Sequence, residues 1–337
     1  VALCTHNGAA HVEEQLRSIL SQSPAPFEVI IGDDASTDNT VQIIERTLAS
    51  LREADGGLDA GVEIVRRTTA LGVSANFAAT MGACSGELIA LSDQDDVWHT
   101  GKLAALVGLF TDDKRLVLAH TDARLVDGDG AALGLTLLDA LEASPAERTG
   151  LVSGAPGDAF AVLVRRNLVT GATVVVRREL LDDAVPFPDN WIHDEWLAVI
   201  AAAVGTLRLL PTPLIDYRQH GSNQIGARKP TMSDRWSRLR EPRAERALRL
   251  SRRASELVDR LERLGSQGRV NVELVEAARA KRDHEVARAN LPRWQPARIP
   301  AIVIAAARGR YARYSRGAID ILRDAVQPAG RLPEKEA

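Results

Sequence analysis

The sequence has two cysteines, Cys4 and Cys84. That excludes a disulfide scaffold and a cysteine-built zinc site. Aromatic residues are only 4% of the chain, which leaves little to stack on nucleic-acid bases. No apolar run approaches the ~20 residues that span a bilayer. The nearest are 196–204 and Ile299–Ala307, and the second contains Pro300. No Gly-x-Gly-x-x-Gly follows the first apolar run, which argues against a dinucleotide-binding dehydrogenase. The chain opens at Val1 inside a strand-like run, without Met or a basic n-region, and is expected to be trimmed at its N-terminus. There is no internal repeat and no long low-complexity tract.

What is present suits a globular protein. The 337 residues can build one large domain or two ordinary ones. The chain is 45% hydrophobic and 26% charged, with a mean hydropathy of -0.11, so whole-chain disorder is excluded. Charge is divided unevenly. Residues 1–227 hold 16 Lys and Arg against 31 Asp and Glu, whereas 228–337 hold 26 against 14. Two domains, 1–227 and 228–337, are expected, joined near 226–230.

The acidic part alternates strand and helix signals. Apolar runs at 1–5, 27–31, 62–65 and 88–91 are separated by helical spacings: Val12, Leu16, Ile19 and Leu20, then Val41, Ile44 and Leu48, then the small-residue stretch 74–84. Ser36 or Thr37 is the expected cap of the second helix. This order predicts an α/β fold with a mostly parallel sheet flanked by helices. Further on, a β-branched run at 171–176, an apolar helix at 192–204 and short strands at 207–210 and 213–217 are expected. The basic part reads as a helical hairpin. Leu250, Ala254, Leu257, Leu261 and Leu264 form one stripe, Gly265 to Gly268 a break, and Val272, Val275, Ala278 and Val286 a second stripe.

In open α/β sheets, ligands bind at the C-terminal ends of the strands. Three runs end there in Thr5-His6-Asn7-Gly8, Gly32-Asp33-Asp34 and Asp93-Gln94-Asp95-Asp96. Three carboxylates in four positions repel one another unless they face water or a cation. Oxygen ligands suit Mg²⁺, which keeps waters and substrate phosphates in its shell. The alternative is a solvated loop capping the helix that starts near Thr100.

These residues resemble the family 2 glycosyltransferases. The resemblance rests on Val1 to Gly8, on Ile31-Gly32-Asp33-Asp34-Ala35-Ser36-Thr37-Asp38-Asn39-Thr40, and on Ser92-Asp93-Gln94-Asp95-Asp96-Val97-Trp98. Thr170-Gly171-Ala172-Thr173, Ile192-His193-Asp194-Glu195-Trp196 and Tyr217 to Asn223 extend it toward the bacterial rhamnosyltransferase-like branch. It implies a GT-A fold over 1–227, with a nucleotide-sugar half (1–98) and an acceptor half (99–227), and a C-terminal helical appendage. It implies donor binding by Cys4, Thr5, Asp33, Asp34, Asn76 and Asp93. A divalent metal, Mg²⁺ or Mn²⁺, would sit on Asp95 and Asp93, with Asp96 and His220 as candidate ligands. Asp194 would be the catalytic base of an inverting transfer, at a helix start where the dipole favours negative charge; Glu195 is its rival. Trp98, His193, Glu195, Trp196 and Arg218 would meet acceptor or diphosphate. Ordinary alternatives are capping for Asn76 and Asp194, loop structure for Arg218 and His220, and core packing for at least one tryptophan. His6 departs from the family's usual Tyr, and Glu195 from its second Trp.

The partners implied are a nucleotide-diphosphate sugar, with rhamnose a candidate, and a polysaccharide or lipid-linked acceptor of the cell envelope. The location implied is cytoplasmic or peripheral on the inner face of the membrane. Two other readings compete: a haloacid-dehalogenase-type phosphatase with Asp93 as nucleophile, and an inactive glycan-binding homologue. For the basic tail, a solvated face competes with attachment to anionic lipid near residues 308–316, with Tyr311 and Tyr314. Nucleic-acid binding is disfavoured.

Overall fold

The computed structural model describes residues 1–54, 59–219 and 240–330. The chain forms two compact units. The first is Val1–Ala155, Leu168–Phe187 and Ile192–Lys229; the second is Pro156–Asn167, Pro188–Trp191 and Pro230–Ala337. Two short segments within 1–227 therefore pack with the C-terminal region, so a single cut in the sequence does not separate the units.

The first unit starts with β1 (Ala2–Thr5), α1 (Val12–Leu20), β2 (Glu28–Asp33), α2 (Thr40–Glu53), β3 (Gly61–Arg66), α3 (Val73–Ala83) and β4 (Leu88–Ser92). β3-β2-β1-β4 run parallel. β1 is buried along its whole length, as expected of a parallel strand covered on both faces. α1 buries Val12, Leu16 and Ile19 and carries Glu13 and Glu14 in its first turn, where acids complement the helix dipole. α2 begins at Thr40 with Asn39 at its N-cap, not at Ser36 or Thr37. Asp38 accepts from the Thr40 N–H at 3.0 Å, and Ser36 and Thr37 bind the β1 loop instead.

The unit continues through β5 (Val97–Trp98), α4 (Lys102–Asp112), β6 (Leu116–Val126), β7 (Ala132–Thr136), α5 (Leu137–Ala140) and α6 (Pro145–Val152). After α7 (Asp158–Leu163), which belongs to the second unit, come a 3-10 turn at Gly171–Thr173, β8 (Val174–Arg177), α8 (Leu180–Ala184), α9 (His193–Val204) and β9 (Thr206–Arg218). The sheet extends in the order β4-β8-β6-β9-β5, with β7 beside β6. β8 is antiparallel to β4 and β6, while β9 is parallel to β6. The two strands expected at 207–210 and 213–217 are one strand. Its register against β6 slips near Asp122 and Pro213, where proline supplies no N–H to the ladder. The apolar core runs from Leu3, Ile31 and Ala90 to Trp98, Leu106, Leu116 and Val175.

In the second unit, α10 (Arg243–Ser266) and α11 (Val272–Ala289) pack as the hairpin expected. Ala254, Leu257, Leu261 and Leu264 are buried. On α11, Val275 and Ala278 are buried, while Val272 and Val286 are exposed. A 3-10 turn at Gln295–Arg298 then leads to α12 (Ile299–Ala307), α13 (Arg310–Tyr314) and α14 (Ala318–Val326). A network of buried charge links these helices. Arg288 lies 2.6 Å from Asp324 and 2.9 Å from Glu285, and Lys281 lies 2.6 Å from Glu285. Asp320 is held well below the usual carboxylate range by Arg288 and Arg246, against the opposing effect of burial.

Candidate active site

The tips of β1 and β2 form a hydrogen-bonded rim. Asp33 is buried and accepts from Thr5 Oγ1 (2.9 Å), Ser36 Oγ (2.6 Å) and Ser36 N–H (3.1 Å). Asp34 is buried and accepts from the backbone N–H groups of Leu71 (2.7 Å) and Gly72 (2.9 Å), with Arg67 Nε at 3.9 Å. Cys4 lies in the field of both Asp93 and Asp34, and burial pushes its thiol far up; it is an inert, buried thiol. Asn76 is inside α3 and caps nothing. Its Nδ2 donates to the Gly32 carbonyl at 2.8 Å, and its Oδ1 accepts from Arg67 Nε at 2.9 Å. Asn76 thus braces α3 against β2, and Asp33 shapes its own loop, so both side chains are occupied by the fold.

The loop after β4 is pinned from two sides. Gln94 accepts from His6 N–H at 2.8 Å and donates to the His6 carbonyl at 2.9 Å. A Cβ on Gly8 would meet Gln94 Oε1 at 2.2 Å, so only glycine permits this approach. On the other side, Arg218 N–H donates to Asp96 Oδ1 (3.0 Å) and Arg218 Nε to the Asp95 carbonyl (2.9 Å). The rest of its guanidinium meets the Gly128 carbonyl (2.9 Å) and Glu14 (2.7 Å). Arg218 is buried. It is a strut of the acidic loop and not the open diphosphate clamp expected.

Between these supports the carboxylates crowd together. Asp93 and Asp95 are half-buried and Asp96 is buried. Burial, then Asp95 and Asp194, push Asp93 up to about 7. Burial, then Asp95 and Asp93, push Asp96 well above the usual range. The Tyr217 phenol is pushed up by its burial and by Asp93, Asp96, Asp95 and Asp194 together. One cation faces them from inside. Lys102 is fully buried in the first turn of α4. Its Nζ donates to the Ala172 carbonyl at 2.7 Å and lies 3.7 Å from the centre of the Trp98 ring. Burial lowers it to about 7, against the pull of Asp96 and Asp93. Sequence reasoning missed Lys102, because one lysine in a helix's first turn reads as solvated.

Asp194 opens α9 opposite the 3-10 turn. Its Oδ2 accepts from Gly171 N–H at 2.9 Å and its Oδ1 from Glu195 N–H at 2.6 Å. Lys102 therefore grips Ala172, and the neighbouring residue Gly171 grips Asp194. His193 is buried and stacks on Phe77 with ring centres 4.0 Å apart. A Cβ on Gly171 would meet its Nε2 at 2.9 Å. Glu195 is half-buried. Trp196 is fully buried, donating Nε1–H to the Ala184 carbonyl at 2.7 Å, and Trp98 is buried in the core. The three rings expected to meet the acceptor are thus buried: Trp98 lies in the core, His193 lies against Phe77 of α3, and Trp196 bonds to the end of α8. His220 lies outside the described residues.

The structure thus gathers Asp93, Asp95, Asp96 and Asp194 into one electrostatic neighbourhood, with Asp34 two strands away at the tip of β2. All these donors are carboxylate oxygens, as hard divalent cations require. Asp96 Oδ2 is buried without a hydrogen-bond partner. Among the described residues no three acidic, His or Cys side chains form a complete metal cage. The site suits a cation that takes one or two protein ligands and the rest from a bound anion.

Two buried histidines give a pH prediction. Burial lowers His120 to about 4 and His193 to about 3. His120 Nε2 and both ring nitrogens of His193 lack partners. The unfolded chain binds these protons first, so their stabilisation is complete above pH ~6.5 and is lost as pH falls toward about 4. Asp93 and Asp96, being raised, act in the opposite sense. The test is therefore a difference. His193→Phe should flatten the acid side of the stability curve by ~1.4 kcal/mol per pH unit, read by thermal unfolding between pH 4.5 and 7.

The comparisons fit this geometry. The family model for glycosyl transferase family 2 matches residues 1–164. An uncharacterized glycosyltransferase of Nostoc sp. is 29% identical over 227 residues, 66% of this chain and 65% of that protein. The chain thus spans somewhat under two thirds of that relative's length. A dTDP-rhamnosyl transferase of Shigella flexneri is 26% identical over 238 residues, 67% of this chain and 74% of that protein. A solved mannosyltransferase from Pyrobaculum calidifontis, in complex with GDP-Man and Mn²⁺, superposes with a TM-score of 0.51 at 20% identity, covering 90% of this chain and 74% of that one. The fold is GT-A, and residues 1–164 match the family model for glycosyl transferase family 2.

Proposed function

We propose that the chain transfers a sugar from a nucleoside-diphosphate donor to an acceptor hydroxyl, with inversion at the anomeric carbon. One observation carries this: the loop after β4 and the start of α9 bring Asp93, Asp95 and Asp194 within one another's field at the C-terminal edge of the sheet. In this reading Asp34 and the Cys4-Thr5 backbone line the nucleotide, Asp93 adjoins the ribose or sugar, and Asp95 is the principal metal ligand, with Asp93 or Asp96 beside it. A bound Mg²⁺ or Mn²⁺ would neutralise charge on the departing diphosphate. Asp194 removes the proton of the acceptor hydroxyl as its oxygen bonds to the anomeric carbon and the bond to the diphosphate breaks. With one base and no protein nucleophile, the displacement is direct. Gly171 N–H and Glu195 N–H fix the Asp194 carboxylate, so its orientation is set before the acceptor arrives. In the same reading half-buried Glu195 contacts the acceptor.

The Shigella relative's name supports rhamnose as the sugar. The Pyrobaculum complex supports a divalent metal. A polysaccharide or lipid-linked acceptor at the inner face of the membrane completes the reading. The test is release of nucleoside diphosphate across a panel of nucleotide sugars, dTDP-rhamnose and GDP-mannose included, with and without Mn²⁺. Metal-dependent turnover of one donor is expected. Nucleotide binding without turnover would favour the inactive glycan-binding homologue. Phosphate-ester hydrolysis through a phospho-aspartate at Asp93 would replace this reading with the phosphatase.

A further inference from the structure

Helix α14 is built inside out. Its buried residues are Asp320 and Asp324, which approach Arg288 at 3.7 and 2.6 Å. Its apolar residues Ile319, Leu322 and Val326 follow helical spacing on the other side and are 45%, 50% and 45% exposed. The neighbouring α12 contains no charged or hydrogen-bonding side chain and buries only Ile302. Its Ile299, Val303 and Ile304 are exposed, as is Trp294 just before the 3-10 turn. α12, α14 and that turn pack on one another, so these side chains belong to one surface. Contiguous apolar surface of this kind marks a site of attachment.

The charge around it identifies the partner. Between 289 and 330 the only acidic residues are Asp320 and Asp324, and both are buried. Arg293, Arg308 and Arg313 are exposed, and Arg310 and Arg316 half-buried. An apolar face whose own segment, 289–330, carries arginines, a tryptophan and no exposed carboxylate matches an anionic bilayer surface; the exposed acids nearby are Glu241 and Glu245, at the start of α10. Branched aliphatic residues suit the acyl boundary, Trp the headgroup level, and Arg the lipid phosphates. Two-fold pairing of identical copies would set these arginines against one another. α12 has nine residues, a length of about 14 Å, and no helix among the described residues is long and apolar enough to cross a membrane.

We propose that α12, α14 and Trp294 form a docking surface that lies in the headgroup region of an anionic bilayer. The structure moves this contact away from the 308–316 segment indicated by the sequence. There Tyr311 is buried and donates to Asp324 at 2.8 Å, leaving that segment to supply arginines to the rim. The proposal rests on this surface alone and stands or falls separately from the transfer reaction.

The test uses the full chain with vesicles of phosphatidylcholine, alone or mixed with phosphatidylglycerol. The chain should pellet with the mixed vesicles, and less so at high salt. Val303→Glu with Ile304→Glu should lower the bound fraction about tenfold at an unchanged melting temperature. Arg308→Gln with Arg313→Gln should abolish the preference for anionic lipid. Brominated lipid should quench a tryptophan signal that Trp294→Phe removes. A chain that stays in the supernatant with both vesicles would overturn the proposal, as would unchanged pelleting of the Glu variant. So would a dimer in solution that the Glu variant splits, because a second copy would then be the occupant.

Discussion

Asp194→Asn is expected to lower turnover by about 10²–10⁴-fold while nucleotide-diphosphate affinity, measured by calorimetry, stays at the parent value. The amide keeps the side chain's size and one acceptor oxygen, so one of the two backbone contacts, from Gly171 N–H (2.9 Å) or Glu195 N–H (2.6 Å), can persist. It has lost the ability to take a proton. A variant that turned over normally would remove Asp194 as base and point to Glu195, next in sequence and half-buried. A variant that lost nucleotide affinity together with turnover would instead make Asp194 part of the donor site.

Lys102→Met is expected to have the next largest effect, and to divide it unevenly. The substitution leaves the buried Ala172 carbonyl without its 2.7 Å donor, a loss of ~1–3 kcal/mol in stability. It also frees the 3-10 turn whose Gly171 N–H holds Asp194. A shift of about 1 Å in a catalytic group can cost roughly 10²-fold in rate, so kcat should fall on that order. The same change removes positive charge beside Asp93 and Asp96. Affinity for a divalent cation should therefore hold or rise. Loss of cation affinity with normal kcat would contradict this division, as would a melting temperature unchanged from the parent.

Much of the fold is legible in the sequence because parallel strands buried on both faces are continuous apolar runs, and 1–5, 27–31 and 88–91 are such runs. β6 is not legible. His120, Thr121 and Asp122 interrupt its apolar pattern, yet all three are buried in the centre of the sheet. The carboxylates of the site stand out because acids at strand tips are conspicuous. Their supports do not. Lys102 and Arg218 read as solvated or ligand-facing residues, whereas both are buried on backbone carbonyls. α14 has clear helical periodicity, but spacing alone cannot tell which face turns inward. Here the inward partner is an arginine, so the aspartates are buried and the apolar stripe is left outside.

The central claim is that crowded carboxylates at the sheet edge are relieved by a cation held jointly with a diphosphate. Its most direct test is the affinity of a nucleoside diphosphate with and without Mn²⁺, in the parent chain and in Asp95→Ala. Binding in the parent should tighten about tenfold or more with Mn²⁺, and that gain should disappear in Asp95→Ala at an unchanged melting temperature. Equal nucleotide affinity with and without the metal in both proteins would contradict the account.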